Sequence, residues 1–201
     1  SSFAALPIRV GAGAVDILFS SSNKCLQGMA GLGIAILRRC LIDELRGTDR
    51  HCYVLDLVAE HDHLEQTGQS RFTVPPQVVS ALHQALLEFE SEGLEGRQKR
   101  YQESMRVLRK GLADLGFDSL LEDEHQSGIL VAIRAPQAPW YDFDHMHDAL
   151  DQQGFTIYPG KPGAEATFRL AVLGAIDAGD IEAFLLALGR YLEKLKGSAA
   201  S

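Results

Sequence analysis

The chain has 201 residues, of which 46% are hydrophobic, a share typical of a protein with a buried core. Its formal net charge is −8, so we expect no broad basic surface for binding nucleic acid or an anionic membrane. No apolar run approaches the roughly 20 residues of a membrane-spanning helix.

The first elements in chain order are two neighbouring strands. Residues 15–19 are short, apolar and partly β-branched, and residues 31–39 have a similar character, so both are predicted strands, paired antiparallel. A short helix is predicted over 41–46. The stretch 51–76 combines two prolines, mixed charge and weak periodicity, and is interpreted as mostly irregular.

Two long helices are predicted next, over 77–91 and 95–115. Each carries apolar residues at helical spacing, and Gly93 and Gly116 end them. The charged residues of the second helix are interpreted as a solvated face; they are Arg97, Lys99, Arg100, Glu103, Arg106, Arg109 and Lys110.

The remainder of the chain alternates strands and helices. Asp177 suits the N-cap of the last helix. The order β-α-β-β-α predicts a small α+β domain with helices on one face of a largely antiparallel sheet. We therefore divide the chain into 1–94 and 95–201. The predicted elements are a strand at 128–135, a helix at 142–154, strands at 155–159 and 167–173, and a helix at 177–196.

Lys24 is the first candidate for chemistry. It follows a strand and stands among uncharged residues, the serines 20–22 and Asn23, with no acidic neighbour in the segment. An amine held away from carboxylates lacks the ion pair that would favour its charged form, so it can attack a carbonyl, which is what a Schiff-base lysine requires. The hydroxyls and the amide can bind a phosphate beside it.

Two further positions are candidate anion sites. Arg71 and Thr73 lie just before a predicted helix start, where unpaired N–H groups favour an anion, although a simple capped turn is an alternative. Arg169 lies inside an otherwise apolar strand. It either faces solvent or holds an anion such as a substrate carboxylate, which its planar fork matches.

The histidines and cysteines predict neither a metal site nor a disulfide framework. Cys52, His51, His61 and His63 match no standard zinc spacing, so no metal is predicted. Three cysteines are too few and odd in number for a disulfide scaffold, which favours a reducing, cytoplasmic setting.

Several segments together resemble a known family. The segment "VDILFSSSNKCLQGMAGLGIAILRR", followed by "RFTVPP", "GFTIYPGK" and "FRLAVLG", is similar to 2-aminoethylphosphonate–pyruvate aminotransferases, of the class V group of fold-type I enzymes. The resemblance covers the chain in order. It implies an α/β fold: the C-terminal part of a fold-type I transferase, with a partial large-domain sheet (1–94) and a small α+β domain (95–201).

The resemblance also implies a cofactor, pyridoxal 5′-phosphate, and roles for particular residues. Lys24 would form the Schiff base with the cofactor and act as general base. Asn23, Ser21 and Ser22 would line the cofactor pocket, and Thr73 would touch the cofactor phosphate of a neighbouring subunit in a homodimer. Arg169 would hold the carboxylate of the 2-oxo acid and the phosphonate of the amino donor.

One departure from the family pattern affects substrate choice. The family has "FRIGNIG" where this chain has "FRLAVLG", so Ala171 and Val172 replace Gly and Asn beside Arg169. The resemblance implies transfer of the amino group of 2-aminoethylphosphonate to pyruvate, giving phosphonoacetaldehyde and alanine. Alternatives are another class V activity, on alanine or serine with glyoxylate or pyruvate, and a non-catalytic remnant that acts as an interaction module.

The resemblance also predicts that part of the active site is missing. The aspartate that pairs with the pyridinium nitrogen and the glycine-rich phosphate loop would precede Ser1. We therefore expect this chain to be an incomplete fragment with little or no transaminase activity.

Overall fold

The computed structural model describes residues 2–8, 15–49, 51–160 and 165–199, with side chains up to 195. The chain divides into two compact units, Ser1–Glu92 and Gly93–Ser201. The boundary falls at Gly93, which has φ of 76° and precedes the long helix of the second unit. This left-handed conformation suits glycine, since it has no Cβ to clash.

The first unit contains a two-stranded antiparallel sheet and three helices. Strand β1 pairs with β2 in a register from Ile17↔Leu37 to Ser21↔Gly33, which confirms the predicted antiparallel pairing. The elements are β1 (Ile17–Ser21), β2 (Gly33–Leu37), α1 (Arg39–Arg46), α2 (Leu57–Thr67) and α3 (Pro76–Glu92).

The interpretation of 51–76 as mostly irregular missed one helix, α2. The carboxylate of Asp56 caps the helix by accepting a hydrogen bond from the Ala59 N–H, and Gly68 ends it in a left-handed conformation. Val58 is its buried residue. Because so little of α2 is buried, its sequence lacks an apolar stripe. The residues in the sequence that indicate this helix are the caps at its two ends.

The second unit contains a three-stranded antiparallel sheet with the strand order β3-β5-β4. Its elements are α4 (Leu94–Asp114), a short 3₁₀ helix (Asp123–His125), β3 (Leu130–Arg134), α5 (Phe143–Asp151), β4 (Tyr158–Pro159), β5 (Thr167–Ala171) and α6 (Ala178–Ala199). Strand β4 is shorter than the predicted strand 155–159, because only two residues pair with β5.

One face of this sheet is buried and the other is more open. Along β5, Phe168 and Leu170 are buried, whereas Arg169 between them is partly exposed. The same alternation occurs in β3, where Val131 and Ile133 are buried. Side chains alternate between faces in a strand, so Arg169 lies on the open face. Buried apolar residues of α4 and α6 complete the core; they include Tyr101, Met105, Leu108, Leu112, Ile181, Phe184, Leu188 and Leu192.

The solvated face predicted for α4 is wrong at two positions. Arg97 is only 1% exposed. Arg100 donates from Nη1 to the carbonyls of Gly174 and Ile176, at 3.0 and 2.8 Å. The turn before α6 therefore depends on a side chain from α4, a pairing that helical periodicity cannot indicate.

The predicted cap of α6 is confirmed. The Asp177 carboxylate accepts hydrogen bonds from the N–H groups of Gly179 and Asp180, at 2.8 and 3.2 Å, and the Asp180 carboxylate accepts from the Asp177 N–H at 2.9 Å. This reciprocal arrangement satisfies N–H groups that the helix itself leaves unpaired. No helix in the described ranges is long and apolar enough to cross a membrane.

Candidate active site

Lys24 lies in the loop between β1 and β2, and hydrogen bonds within the loop define its shape. The Ser22 hydroxyl donates to the carbonyl of Met29 at 2.5 Å. The Gly28 N–H donates to the Ser22 carbonyl at 2.8 Å, and the Gln27 N–H donates to the Lys24 carbonyl at 2.9 Å. A tight turn therefore begins at Lys24, within a larger loop that hydrogen bonds close.

The loop is also held by packing against helix α3. Cys25 and Leu26, which follow Lys24, are buried. A Cβ added to Gly28 would stand 3.0 Å from the Ser22 carbonyl oxygen and 3.3 Å from the Leu82 Cα of α3. This close approach favours glycine at position 28, and it places the loop that carries Lys24 against helix α3.

Lys24 itself is partly buried, and its amine has no carboxylate or hydrogen-bond partner within the described part of the chain. Ser21 and Asn23 are also partly buried, and their side chains are likewise unengaged there. An unpaired primary amine can react with an aldehyde. A neighbouring hydroxyl and amide can donate hydrogen bonds to a phosphate. The residues present therefore fit pyridoxal phosphate.

Ser22 differs from its neighbours. It is fully buried, and its hydroxyl is already directed at the Met29 carbonyl. In this structure Ser22 organises the loop that carries Lys24. Its predicted contact with a cofactor stays a prediction.

Thr73 is exposed in the segment before α3, in the same unit as Lys24. The neighbouring Arg71 is engaged locally: its guanidinium lies 5.2 Å from the Tyr53 ring centre and 5.1 Å from the Phe72 ring centre. Its Nη1 also donates to the Tyr53 carbonyl at 3.1 Å. These contacts join the residues before α2 to those before α3, and they leave Thr73 accessible.

Arg169 lies in the second unit, at the centre of the open sheet face. Its Nε donates to the Pro159 carbonyl of β4 at 3.1 Å. Among the described residues its two terminal nitrogens have no hydrogen-bond partner. A guanidinium anchored through Nε presents its other edge, which matches a carboxylate or a phosphonate.

Arg169 is also one of the residues that line a cavity of about 360 Å³. Its walls are mainly apolar, with Phe155, Ile157, Leu170 and Phe184 among them, and Tyr158 also borders it. Tyr158 belongs to the segment "GFTIYPGK", but the sequence does not indicate that it stands opposite Arg169, because that depends on strand register.

The predicted site residues thus fall into separate groups. Lys24, Asn23, Ser21 and Ser22 lie on one loop, Thr73 stands elsewhere in the first unit, and Arg169 belongs to the second unit. Among the described residues, no group of three or more His, Cys, Asp or Glu side chains could hold a metal ion.

The chain belongs to the class-V aminotransferase family, whose sequence profile matches residues 1–180. It is 42% identical over 196 residues to the 2-aminoethylphosphonate–pyruvate transaminase of Burkholderia ambifaria. It is 38% identical over 197 residues to the protein of that name from Pseudomonas aeruginosa. These alignments cover 97% and 98% of this chain but 52% and 53% of the relatives. The chain therefore spans about half the length of these relatives.

Solved structures confirm the predicted fold class, that of fold-type I transferases. The pyridoxamine–pyruvate aminotransferase of Mesorhizobium loti matches with a TM-score of 0.86 and 20% identity, over 97% of this chain and 51% of that one. An aspartate aminotransferase from Thermus thermophilus matches with a TM-score of 0.83 and 22% identity, over 96% and 53%. At such identities the likeness establishes the fold alone.

Proposed function

We propose that the chain forms part of a pyridoxal-phosphate-dependent transaminase that moves the amino group of 2-aminoethylphosphonate to pyruvate. The observation that carries the proposal is the unpaired amine of Lys24 on a loop fastened by Ser22 and Gly28. Family membership and the names of the relatives support the class of reaction and the choice of donor.

Lys24 would hold the cofactor through its amine, with Asn23 and Ser21 lining the pocket. When bound, pyridoxal phosphate supplies a conjugated ring that accepts the electron pair released at the donor carbon. The released Nζ of Lys24 would take the proton from that carbon as general base and return it as general acid. The turn that begins at Lys24 fixes the backbone from which the amine reaches the reacting carbon.

Arg169 would orient both substrates by their anionic groups, the phosphonate of the donor and the carboxylate of pyruvate. Its Nε–Pro159 hydrogen bond leaves the terminal nitrogens for this purpose. The substitution at Ala171, which borders the cavity beside Arg169, bears on the choice between this donor and alanine or serine. A panel of the three donors, assayed with the complete enzyme of which the chain would form part, separates the two activities.

We also propose that the enzyme is a cytoplasmic homodimer, in which Thr73 reaches the cofactor phosphate of the partner subunit. Tyr53 and Leu55 are 76% and 77% exposed, and Val54 between them is also exposed. An exposed cluster of large apolar side chains is typical of an interface. The three cysteines, all described, are not joined by disulfides, which supports a reducing setting.

Reductive trapping tests the assignment of Lys24. The purified chain is mixed with pyridoxal phosphate and reduced with borohydride, and the labelled peptide is identified by mass spectrometry. We expect the phosphopyridoxyl group on Lys24 and its loss in Lys24→Ala. Lys99→Ala is the matched control, because Lys99 is an exposed lysine of α4 and should leave the labelling unchanged. Equal labelling of Lys24 and Lys99 would overturn the assignment.

A further inference from the structure

The residue opposite Arg169 on the neighbouring strand is Tyr158. Strands β4 and β5 are antiparallel, and their register pairs Tyr158 with Arg169. Directly opposed residues of an antiparallel pair project from the same face, with Cβ atoms about 5 Å apart. The phenol and the guanidinium therefore share the open face of the sheet.

Both side chains are free to meet a ligand within the described part of the chain. Tyr158 is 63% exposed, and its hydroxyl has no hydrogen-bond partner there. Arg169 is fastened through Nε to the carbonyl of Pro159, the residue next to Tyr158. The backbone of β4 thus positions the guanidinium and carries the phenol beside it.

The geometry of the anion decides how many donors it can use. A carboxylate is planar, and the terminal nitrogens of one guanidinium satisfy its two oxygens in the same plane. A phosphonate is tetrahedral. Two of its oxygens can meet the guanidinium, and the third projects out of that plane and requires another donor. The register places Tyr158 directly opposite Arg169 on the adjacent strand and on the same face, so its hydroxyl is the candidate for this further donor.

We propose that the Tyr158 hydroxyl donates to the third oxygen of a phosphonate bound at Arg169, and that Tyr158 is a specificity-determining residue for phosphonate over carboxylate substrates. The inference rests on the proposed anion-binding role of Arg169 and adds the group that distinguishes the two anions.

Equilibrium binding tests the proposal with two probes, methylphosphonate and acetate, titrated into the 201-residue chain and followed by NMR. Tyr158→Phe keeps the ring and the strand pairing and removes only the hydroxyl. We expect it to weaken methylphosphonate binding about tenfold or more, since a hydrogen bond to a charged group is worth roughly 1.5–3 kcal/mol. Acetate binding should change less than about twofold.

Two further variants separate the possible failures. Tyr141→Phe removes a hydroxyl of the same unit outside the residues that border the cavity and should leave both affinities unchanged. Arg169→Gln should abolish binding of both probes. If Arg169→Gln acts as expected but Tyr158→Phe has no effect, or weakens both probes equally, the role of Tyr158 is overturned and the anion site stands. If neither probe binds, or Arg169→Gln changes nothing, the proposed anion site itself fails.

Discussion

The Ser22 hydroxyl donates a 2.5 Å hydrogen bond to the carbonyl of Met29, across the loop that carries Lys24. The same hydroxyl lies 3.5 Å from the carbonyl of Leu32. The backbone carbonyl of Ser22 accepts a hydrogen bond from the Gly28 N–H. One fully buried serine thus connects the start of the loop to its end, and the backbone that carries Lys24 depends on it.

Ser22→Ala should loosen this loop. Removing the hydroxyl leaves the Met29 carbonyl without its partner, and the expected cost is about 1 kcal/mol of local stability. Hydrogen exchange of the Gly28 amide measures the change, which we expect as faster exchange by about fivefold. Ser21→Ala is the matched control, since its partly exposed hydroxyl has no partner among the described residues. Equal acceleration in both variants would contradict the role given to Ser22.

The contact between α1 and α2 should depend on pH. Arg46 donates from Nη1 and Nη2 to the Asp62 carboxylate at 3.0 and 2.5 Å. Hydrogen bonding from His61, followed by the bonds and charge of Arg46, lowers the pKa of Asp62 below its usual value. A lowered pKa in the folded state means that the unfolded chain binds more protons in acid, so stability falls as pH falls.

This contribution should be complete above about pH 4, the ordinary aspartate value, and should disappear as pH falls through the lower folded value. Urea denaturation of the first unit at a series of pH values measures it, with Asp62→Asn as the comparison. The variant should show a smaller loss of stability in acid. Added salt should also reduce the difference, because the pair is partly exposed. Identical acid profiles for the two proteins would contradict the expectation.

Two glycines at the packing of α4 against α6 should respond oppositely to alanine. A Cβ on Gly111 would overlap the Leu185 side chain, whereas a Cβ on Gly189 would stand 3.6 Å from Leu115, an ordinary contact. We expect Gly111→Ala to destabilise the second unit by about 1–3 kcal/mol through overpacking. Gly189→Ala should be neutral or stabilising by up to about 1 kcal/mol, because alanine favours the helix. Thermal unfolding measures the stability of both variants. Equal destabilisation by the two substitutions would show that the close approach is not specific to Gly111.

The exposed apolar residues 53–55 should be required for dimerisation. Leu55→Asp places a charge where the proposed interface excludes water, so we expect dissociation to monomers in sedimentation velocity experiments. Leu64→Asp is the control, an exposed leucine of α2 outside the 53–55 cluster. A dimer that survives Leu55→Asp would place the interface elsewhere, and a chain that is monomeric before any substitution would contradict the proposed homodimer.

Much of the fold was predictable because its signals are local. The apolar stripes of α4 and α6 specify helices with one buried face, and Asp177 marks the start of α6 through its cap. Helix α2 was not predicted, because only Val58 of that helix is buried and its sequence has no apolar periodicity. Asp56 and Gly68 nevertheless mark its ends. Arg97 and Arg100 were misassigned because their surroundings come from outside the helix.

For the site, the residues alone determined which side chains can do chemistry: an amine without an acidic neighbour at Lys24, and a guanidinium within an apolar strand at Arg169. Residue type and immediate neighbours set the charge and nucleophilicity of a group, and these are local properties. Only the tertiary structure decided that Ser22 fastens the loop, that Pro159 anchors Arg169, and that Tyr158 stands beside it. Those relationships join strands and loop ends that are distant in the chain, and strand register, which depends on the packing of the whole unit, sets which residues meet.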